Sequence, residues 1–368
     1  MRFPFRFLRL LLLVGAFTAG AEETVRIMVQ EKVWALTIEA GGGGLWYSPP
    51  TAQEPAWQAL PPGVAQLSWK RGQLWLGDKA VEARSLLLAA GKEGAVGSAP
   101  LQVGGKALRG QVEVFASPQG LAAVNILPLE DYLKGVLGKE MPKSFPPEAL
   151  KAQAVAARTY ALQKKLQRLG EEQHLGATVL HQVYGGLAAE DDRTREAVEK
   201  TRGQVLLFGM EPVEAYFHAS CGGLTETGKE ALTRDLPYLA ARACPCGNTH
   251  AARWQLQLSE AELKKAFGTS SGQLQPGPLT STGRYKSLRV GGQSFAAAEF
   301  RRRLGTTRLR SLKFSIRKEK GGFLLKGEGY GHGAGLCQWG AMRLAESGKS
   351  YADILQHYYA GSRLMTLY

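Results

Sequence analysis

The chain has 368 residues, of which 44% are hydrophobic and 21% charged, and it carries a formal net charge of +14. This composition is that of an ordinary globular protein and excludes a largely disordered chain, and the length is enough for more than one domain. The excess of positive charge suits an anionic envelope surface as well as nucleic acid.

The first residues have the pattern of an export signal. Three arginines precede or enter an apolar run that ends at Phe17, and small residues follow at positions 19–21, where a signal peptidase cuts. We predict a signal peptide over residues 1–21, and without its three arginines the net charge falls to about +11. No later segment is long and apolar enough to span a bilayer, so we expect membrane contact only through an uncleaved leader. The predicted location is the periplasm, the cell wall or the extracellular space, which argues against nucleic acid as a partner.

Residues 22–105 alternate short apolar stretches with glycine and proline, a pattern typical of short strands. Four strands are predicted, at 25–29, 34–38, 66–76 and 83–88. Titratable groups do not cluster in this part of the sequence. We therefore predict a β-rich N-terminal module to which the sequence assigns no function.

The pattern changes further on, and we predict a second domain over residues 106–368. A hairpin is expected across the Ser117–Gly120 turn, followed by a short helix from Leu129 to Val136. A longer helix begins at Pro146-Pro147, where proline is tolerated, and ends near Gly170. Strands and helices both recur after it, so the predicted fold class is α+β.

The longer helix carries Arg158 inside its apolar arc, and Glu140 lies just before the helix. A buried guanidinium needs a carboxylate or an anionic ligand, which makes this segment a candidate site. The alternative is that the Arg158 stem covers apolar surface while its head reaches water. Gln153 and Tyr160 share a polar-tipped face of the same helix, where a satisfied hydrogen bond in the core is the alternative to a binding role.

Two loops combine glycine with polar or aromatic side chains. One runs from His218 to Gly223 at the end of a predicted strand, and its two glycines permit close backbone approach to a ligand. The other places His332 between glycines, with Tyr330, Gln338 and Trp339 nearby. Polar edges and aromatic faces suit a sugar, although the glycines could instead serve a tight crossing beside a core tryptophan.

The chain has four cysteines, Cys221, Cys244, Cys246 and Cys337. In an oxidising compartment the expected outcome is a disulfide from Cys221 to Cys244 or Cys246. A weaker alternative adds His218 to Cys221, Cys244 and Cys246 as a zinc ligand set, although C-x-C is a less common zinc pattern than C-x-x-C. Cys337 is interpreted as a small buried side chain.

Four separate motifs resemble those of the SpoIID/LytB family, which includes stage II sporulation protein D and the amidase enhancers. They are Glu140-Met141-Pro142 with the Ala149–Tyr160 helix, Gln182-Val183-Tyr184, the His218–Gly223 loop, and Gly329–Gly333 with Gln338–Ala341. The resemblance spans about residues 110–364 and implies a SpoIID-like catalytic core behind the N-terminal module. It further implies a lytic transglycosylase that cleaves peptidoglycan glycan strands, preferentially those stripped of stem peptides, with Glu140 as the catalytic acid.

Ten further residues from these motifs are predicted to bind substrate: Arg158, Tyr160, Gln182, Tyr184, His218, Gly222, Gly223, Tyr330, His332 and Gln338. Arg158 has two possible positions. If it contacted Glu140 it would lower the pKa of the catalytic acid, and if it paired elsewhere Glu140 would lie in a drier pocket. The favoured arrangement is one in which Arg158 orders the loop or the substrate.

No cofactor is predicted. Certain relatives bind zinc through cysteine and histidine in the loop that precedes the Gln-Val-Tyr motif, but here that loop offers His174 and His181 without a cysteine. The expected partners are glycan strands and a cell-wall amidase. The alternative function is a non-enzymatic wall-binding activator of an N-acetylmuramoyl-L-alanine amidase, and sporulation itself cannot be inferred from these residues.

Overall fold

The computed structural model describes residues 23–49, 55–178, 182–249 and 252–368. The predicted signal peptide, residues 1–21, lies outside the described residues. Within the described ranges, no helix combines the length and the apolar character needed to cross a membrane. Helices and several separate sheets are both present, which confirms the predicted α+β class.

The chain divides into two compact units. The first contains the described residues of Met1–Ser144 together with Ala157–Val205 and Met365–Tyr368, and the second contains Phe145–Ala156 and Leu206–Leu364. One of the four points at which the chain changes unit lies inside the helix Pro147–Gln167. The predicted division into residues 22–105 and 106–368 stays a prediction.

Two antiparallel-rich sheets build the first unit. The larger has strands in the order Leu175–Gly176, Thr24–Val33, Gly120–Pro128, Gln111–Ser117, Ser85–Lys92, Gly44–Ser48 and Gln58–Ala59, with Ala95–Ala99 also paired to Ser85–Lys92. The smaller has the order Lys106–Leu108, Leu101–Val103, Ala35–Ala40, Val64–Lys70, Gln73–Leu76 and Lys79–Val81. Because Thr24–Val33 pairs antiparallel with Gly120–Pro128, the N-terminal β-rich residues share a sheet with the predicted hairpin.

The predicted strand over residues 66–76 is wrong, because it is two strands joined by a tight turn. Val64–Lys70 pairs antiparallel with Gln73–Leu76. The two residues between them have positive φ, 54° at Arg71 and 74° at Gly72. Two consecutive positive φ values are those of a type I′ hairpin turn. An Asn-Gly pair would have predicted this turn, whereas an Arg-Gly pair inside an apolar run is a weaker turn signal.

The helices of the first unit follow the larger sheet. They are Leu129–Glu140, which continues four residues beyond the predicted end, the Ala157–Gln167 part of Pro147–Gln167, the 3-10 turn Gly186–Ala189 and Asp192–Lys200. Asp191 precedes the last of these helices, and its side chain caps the helix by accepting a hydrogen bond from the backbone N–H of Arg193.

The second unit contains small sheets with helices packed against them. Its sheets are Arg253–Ser259, Gly322–Glu328 and Phe314–Glu319; Leu274–Pro276, Ser287–Val290 and Gln293–Ala296; and the parallel pair Phe217–His218 and Leu336–Cys337. A further sheet has the order Glu211–Pro212, Gln204–Phe208 and Arg363–Thr366, and its last two strands each include residues of both units. Its helical segments, besides Pro147–Ala156, are Gly228–Leu232, Pro245–Asn248, Glu260–Phe267, Ala297–Leu304, Gln338–Glu346 and Tyr351–Tyr358. One apolar core includes Leu263, Phe300 and Leu325, all fully buried.

Candidate active site

Glu140 is the last residue of the helix Leu129–Glu140 and is half-buried. Met141 is extended, with φ −137° and ψ 141°, as expected for a residue before proline, so the helix stops there. One carboxylate oxygen, Oε1, accepts a hydrogen bond of 2.6 Å from the backbone N–H of Val183. The Gln-Val-Tyr motif therefore meets the glutamate through its main chain.

The surroundings of Glu140 favour its protonated form. Burial raises the pKa of the carboxyl group above its ordinary value, and the hydrogen bond from Val183 offsets part of that shift. The end of a helix also disfavours negative charge. Among the residues that the structure describes, no lysine or arginine forms an ion pair with Glu140. The carboxyl group therefore has the electrostatic setting of a general acid.

Arg158 does not pair with Glu140. It pairs instead with Glu130, near the start of the helix Leu129–Glu140. Its Nε and Nη2 atoms donate to the two Glu130 oxygens at 2.8 and 2.7 Å. The side chain is 0% exposed, and its other hydrogen bonds go to the carbonyls of Val198 and Gln204 and to the hydroxyl of Thr201. A closed ion pair thus takes up the guanidinium away from solvent. The predicted role of Arg158 in ordering the loop or the substrate stays a prediction.

Glu130 is the residue that the sequence reasoning missed in this ion pair. Burial alone would raise its pKa, but the hydrogen bonds and charge of Arg158 outweigh burial and hold the pKa below its usual value. Tyr368 and the backbone N–H of Gly203 also donate to the carboxylate, at 2.8 and 3.3 Å. The signal was present in the sequence as an acidic residue in the first turn of the predicted helix.

Gln182 and Tyr184 are brought to the Glu140 helix, but their side chains are buried, at 0% and 2% exposure. Gln182 accepts from the Tyr132 hydroxyl at 3.0 Å and donates to the Ala157 carbonyl at 3.1 Å. Tyr184 donates to the side-chain oxygen of Asn125 at 3.0 Å. These contacts hold the segment on both sides of Val183, so the structure gives the two side chains a positioning role. Direct contact with substrate stays a prediction.

Tyr160 is also buried, with Lys164 placed 5.3 Å from its ring centre. This agrees with a packed position on the helix, and a substrate contact by Tyr160 likewise stays a prediction.

The predicted loop residues of the second unit lie together around two histidines. His218 is buried and donates from Nδ1 to the Ala334 carbonyl, while the His332 ring lies 5.3 Å away between centroids. His332 bonds from Nε2 to the Phe217 carbonyl at 3.0 Å and accepts from the backbone N–H of Ala334 at Nδ1. Burial lowers the pKa of His332 to about 4, so this imidazole is neutral at pH 7.

The other predicted residues of this loop pair are placed as follows. Tyr330 is half-buried and exchanges two backbone hydrogen bonds with Ser220, and Arg310 lies 5.7 Å from its ring centre. Gln338 is buried and donates to Gln153 at 3.4 Å. Gly222 packs so closely on Glu328 and Gly329 that a Cβ atom would lie 2.9 Å from the nearest atom, and Gly223 is more open. Substrate binding by these residues stays a prediction.

None of the four cysteines forms a disulfide in this structure, so the predicted bond from Cys221 to Cys244 or Cys246 stays a prediction. The Cys221 and Cys246 sulfurs are 3.4 Å apart, well beyond the bond length of about 2.05 Å in a disulfide. Cys337, interpreted from sequence as a small buried side chain, joins the other three in one cluster, whereas His218 is not part of it. Sequence reasoning missed Cys337 because it comes 91 positions after Cys246.

The described part of the loop before the Gln-Val-Tyr motif contains one histidine, His174. His174 is buried and its Nδ1 accepts a hydrogen bond from the backbone N–H of Arg26 at 3.2 Å. Burial, together with the charges of Lys165, Arg26 and Arg168, lowers its pKa to about 4. His181 lies outside the described residues. The described part of this loop therefore uses its histidine to pair with a strand.

Fold and site together define an α+β protein with a half-buried carboxyl group fixed at a helix end. Comparison with known proteins adds that residues 117–208 match the family model described as SpoIID, stage II sporulation protein. Stage II sporulation protein D of Bacillus amyloliquefaciens is 31% identical over 259 residues, which cover 65% of this chain and 74% of that protein. An uncharacterized protein of Brachyspira hyodysenteriae is 35% identical over 248 residues, covering 66% of this chain and 67% of the relative.

The amidase enhancer of Bacillus subtilis is 31% identical over 288 residues, covering 63% of this chain and 40% of that longer protein. The chain therefore belongs to the SpoIID/LytB family, and the identification from its motifs is confirmed.

Proposed function

We propose that this protein is a peptidoglycan lytic transglycosylase that cleaves the bond between N-acetylmuramic acid and N-acetylglucosamine, with Glu140 as its single acid and base. The supporting observation is the state of Glu140, a half-buried carboxyl group without a cationic partner among the described residues. The names of the Bacillus relatives support a role at the cell wall.

The reaction begins with proton transfer from Glu140 to the glycosidic oxygen. The C1–O bond of the muramoyl residue breaks, and the oxygen and the proton leave as the 4-hydroxyl group of N-acetylglucosamine. Glu140, now ionised, takes the proton of the muramoyl 6-hydroxyl while that oxygen bonds to C1. The product is a 1,6-anhydro end, no water is consumed, and the glutamate returns to its protonated state.

The hydrogen bond from Val183 assigns different roles to the two carboxyl oxygens. Because Oε1 accepts from a backbone N–H, the proton belongs on Oε2. The N–H also stabilises the carboxylate that forms after the first transfer, which keeps the group able to act as a base. Burial raises the pKa of Glu140, which favours the protonated form that gives the proton, and the Val183 hydrogen bond lowers it, which favours the ionised form that takes one.

The test is digestion of purified glycan strands with the wild type and with Glu140→Gln, with the products identified by mass spectrometry. We expect anhydromuramoyl ends from the wild type and a loss of at least a hundredfold in rate for the variant, the range for removing a general acid. Strands already stripped of stem peptides by an amidase should be cut faster than intact peptidoglycan. Reducing ends would indicate a hydrolase, and full activity of Glu140→Gln would contradict the assignment.

Two controls separate loss of chemistry from loss of fold. Glu199→Gln makes the same substitution at an exposed position and should retain activity. Glu140→Gln should unfold at the same temperature as the wild type at pH 7, or higher. Its neutral amide replaces a buried carboxyl group whose raised pKa makes the ionised form unfavourable in the folded state.

The amidase enhancer of Bacillus subtilis supports a second candidate, a wall-binding activator of an amidase. The same digestion decides between the two. An activator by itself leaves glycan strands intact, but it increases the release of peptides when an amidase is added. The Glu140→Gln variant of an activator increases peptide release as well as the wild type does. In either case the expected site of action is the periplasm, the cell wall or the extracellular space.

A further inference from the structure

Four cysteine sulfurs converge at one point in the second unit. Cys221 follows the strand Phe217–His218, Cys244 and Cys246 flank Pro245, and Cys337 precedes the helix Gln338–Glu346. All four side chains are buried, with exposures of 1%, 7%, 0% and 0%. Their Sγ atoms all lie within 4.8 Å of one another. Three distant chain segments therefore contribute to one compact group of sulfurs.

We propose that Cys221, Cys244, Cys246 and Cys337 bind a single zinc ion as four thiolates. A tetrahedral site with Zn–S bonds of about 2.3 Å has sulfur–sulfur edges of about 3.8 Å. The observed separations, 3.4 Å for Cys221 and Cys246 and at most 4.8 Å in the group, bracket that edge. A larger iron–sulfur cluster would hold its cysteine sulfurs farther apart. The site is structural, because four protein ligands leave no open position for a substrate.

The surrounding backbone supplies hydrogen bonds that suit thiolates. The N–H groups of Cys221 and Gly340 donate to the Cys337 sulfur at 3.3 and 3.4 Å, and the N–H of Gly223 donates to the Cys246 sulfur at 3.3 Å. Cys337 also caps the N-terminus of the helix Gln338–Glu346, where the helix dipole favours negative charge. Three backbone N–H donors aimed at two sulfurs would stabilise these groups as thiolates when a metal ion is bound.

Gly340 and Gly223 leave room for these sulfurs. A Cβ atom at Gly340 would lie 2.3 Å from the Cys244 sulfur and 2.1 Å from the Tyr358 hydroxyl. Gly223 has a φ of +94°, which lets its N–H turn toward Cys246. Gly223 is one of the two glycines predicted from sequence to permit close approach to a ligand. Its N–H donates to a sulfur of the cysteine cluster.

A buried cation lies beside the cluster. Zinc with four thiolates has a net charge of −2, which is costly to bury alone. Arg284 is buried and donates from Nη2 to the carbonyls of Cys221 and Leu224 at 2.7 and 2.9 Å. Glu226, 3.8 Å from Arg284, offsets part of that positive charge. The arginine therefore fixes the backbone of one ligand and reduces the net charge of the site.

The rival arrangement is two disulfides, which an exported protein could form. Convergence of all four sulfurs on one point favours an ion, since disulfides require two separate pairs. His218, the other ligand considered from sequence, donates from Nδ1 to the Ala334 carbonyl and lies outside the group of converging sulfurs.

The decisive measurement is made on the full chain purified without chelator. We expect about one zinc per chain, four thiols that react after unfolding with chelator and without reductant, and about four sulfur neighbours at about 2.3 Å by zinc X-ray absorption. Replacement by Co²⁺ should give the absorption of a tetrahedral tetrathiolate site. A metal-free protein with no reactive thiols and a mass lower by four hydrogens would overturn the proposal in favour of two disulfides.

Two variants test the ligand set without using glycan cleavage as a readout. Cys337→Ser should lower the retained zinc at least tenfold, whereas His218→Gln should retain it in full. The opposite result would replace Cys337 by His218 as a ligand and contradict the proposal. If Cys337→Ser does not fold, the sulfur count around zinc in the wild type decides the question alone.

Discussion

Two glutamates of one helix have opposite pKa shifts. Glu130 has its pKa lowered by Arg158, and Glu140 has its pKa raised by burial. They are ten residues apart, about 15 Å along the helix axis. That distance lets the Glu130 carboxyl group stay ionised while the Glu140 carboxyl group stays protonated, as the proposed role of Glu140 as a general acid requires.

The closed Arg158–Glu130 pair predicts a stability defect rather than a binding defect. Arg158→Ala leaves the Glu130 charge buried without its partner, and we expect it to lower the free energy of unfolding by about 3–5 kcal/mol. Urea unfolding followed by circular dichroism measures this. Arg195→Ala removes an exposed arginine paired with Asp192 and should cost less than about 1 kcal/mol.

The pH dependence of that contribution follows from the lowered pKa of Glu130. The stabilisation is fully present above the ordinary glutamate value of 4.5 and is lost as the pH falls through the lower folded-state pKa. The difference between wild type and Arg158→Ala should therefore shrink in acid. An Arg158→Ala protein of normal stability with a raised KM for glycan would show that the arginine binds substrate after all.

Sequence alone predicted that a buried Arg158 needs a carboxylate, and it has one. The sequence could not tell which carboxylate, because Glu130 and Glu140 both precede the arginine and the choice depends on which end of the first helix meets Arg158. Nor could the sequence predict the hydrogen bond from the Val183 N–H to Glu140, because every residue except proline has a backbone N–H.

At the scale of elements, the Glu140 helix and the Gln-Val-Tyr segment form one packed pair. Gly185 donates its N–H to the Gly135 carbonyl at 3.0 Å, and the Tyr184 ring lies against Gly135. A Cβ atom at Gly135 would be 2.5 Å from the Tyr184 ring. The absence of a side chain at Gly135 therefore sets how closely Val183 approaches the helix Leu129–Glu140.

Gly135→Ala should destabilise the protein, against the usual preference. Alanine gains about 1 kcal/mol over glycine inside a helix, but overpacking a core contact costs about 1–3 kcal/mol. We expect a net loss of stability and a larger relative loss of glycan cleavage, because displacing Tyr184 moves the Val183 N–H. Thermal unfolding and the digestion assay together measure both effects.

Gly42→Ala is the matched control, since its Cβ atom would meet nothing nearer than Ala99 at 4.0 Å. Equal activity of Gly135→Ala and wild type would show that the approach of Val183 does not limit the reaction.

Elements with strong local signals were predictable. The hairpin Gln111–Ser117 and Gly120–Pro128 and the helix that begins at Pro147 are where the sequence indicated them. The convergence of the four cysteines was not predictable, because it depends on contacts between residues far apart in the chain. The pairing of the N-terminal strand Thr24–Val33 with Gly120–Pro128 is long-range in the same sense.

At the scale of the whole molecule, the net charge of +14 predicts salt-sensitive attachment to anionic wall polymers. Raising salt from about 0.1 to about 1 M shortens the screening length from about 10 to about 3 Å. The fraction of Glu140→Gln that sediments with insoluble cell walls should fall several-fold over this range. That variant is used because it should leave the walls undigested.

Binding to a neutral glycan without muramic acid, such as an oligomer of N-acetylglucosamine, is the comparison for this measurement and should depend weakly on salt. If attachment to intact walls did not depend on salt, the prediction would be wrong. Contacts with the sugars, and not the basic charge, would then account for the attachment.

The first unit is assembled from three stretches of chain, the last of which is Met365–Tyr368. Tyr368 donates its hydroxyl to Glu130, and Leu367 donates its N–H to the Gly203 carbonyl at 3.0 Å. The Glu130 carboxylate therefore takes its side-chain donors from residues 28 and 238 positions further along the chain. Removal of the last four residues should thus leave the Arg158 pair in place but deprive Glu130 of its tyrosine hydroxyl donor.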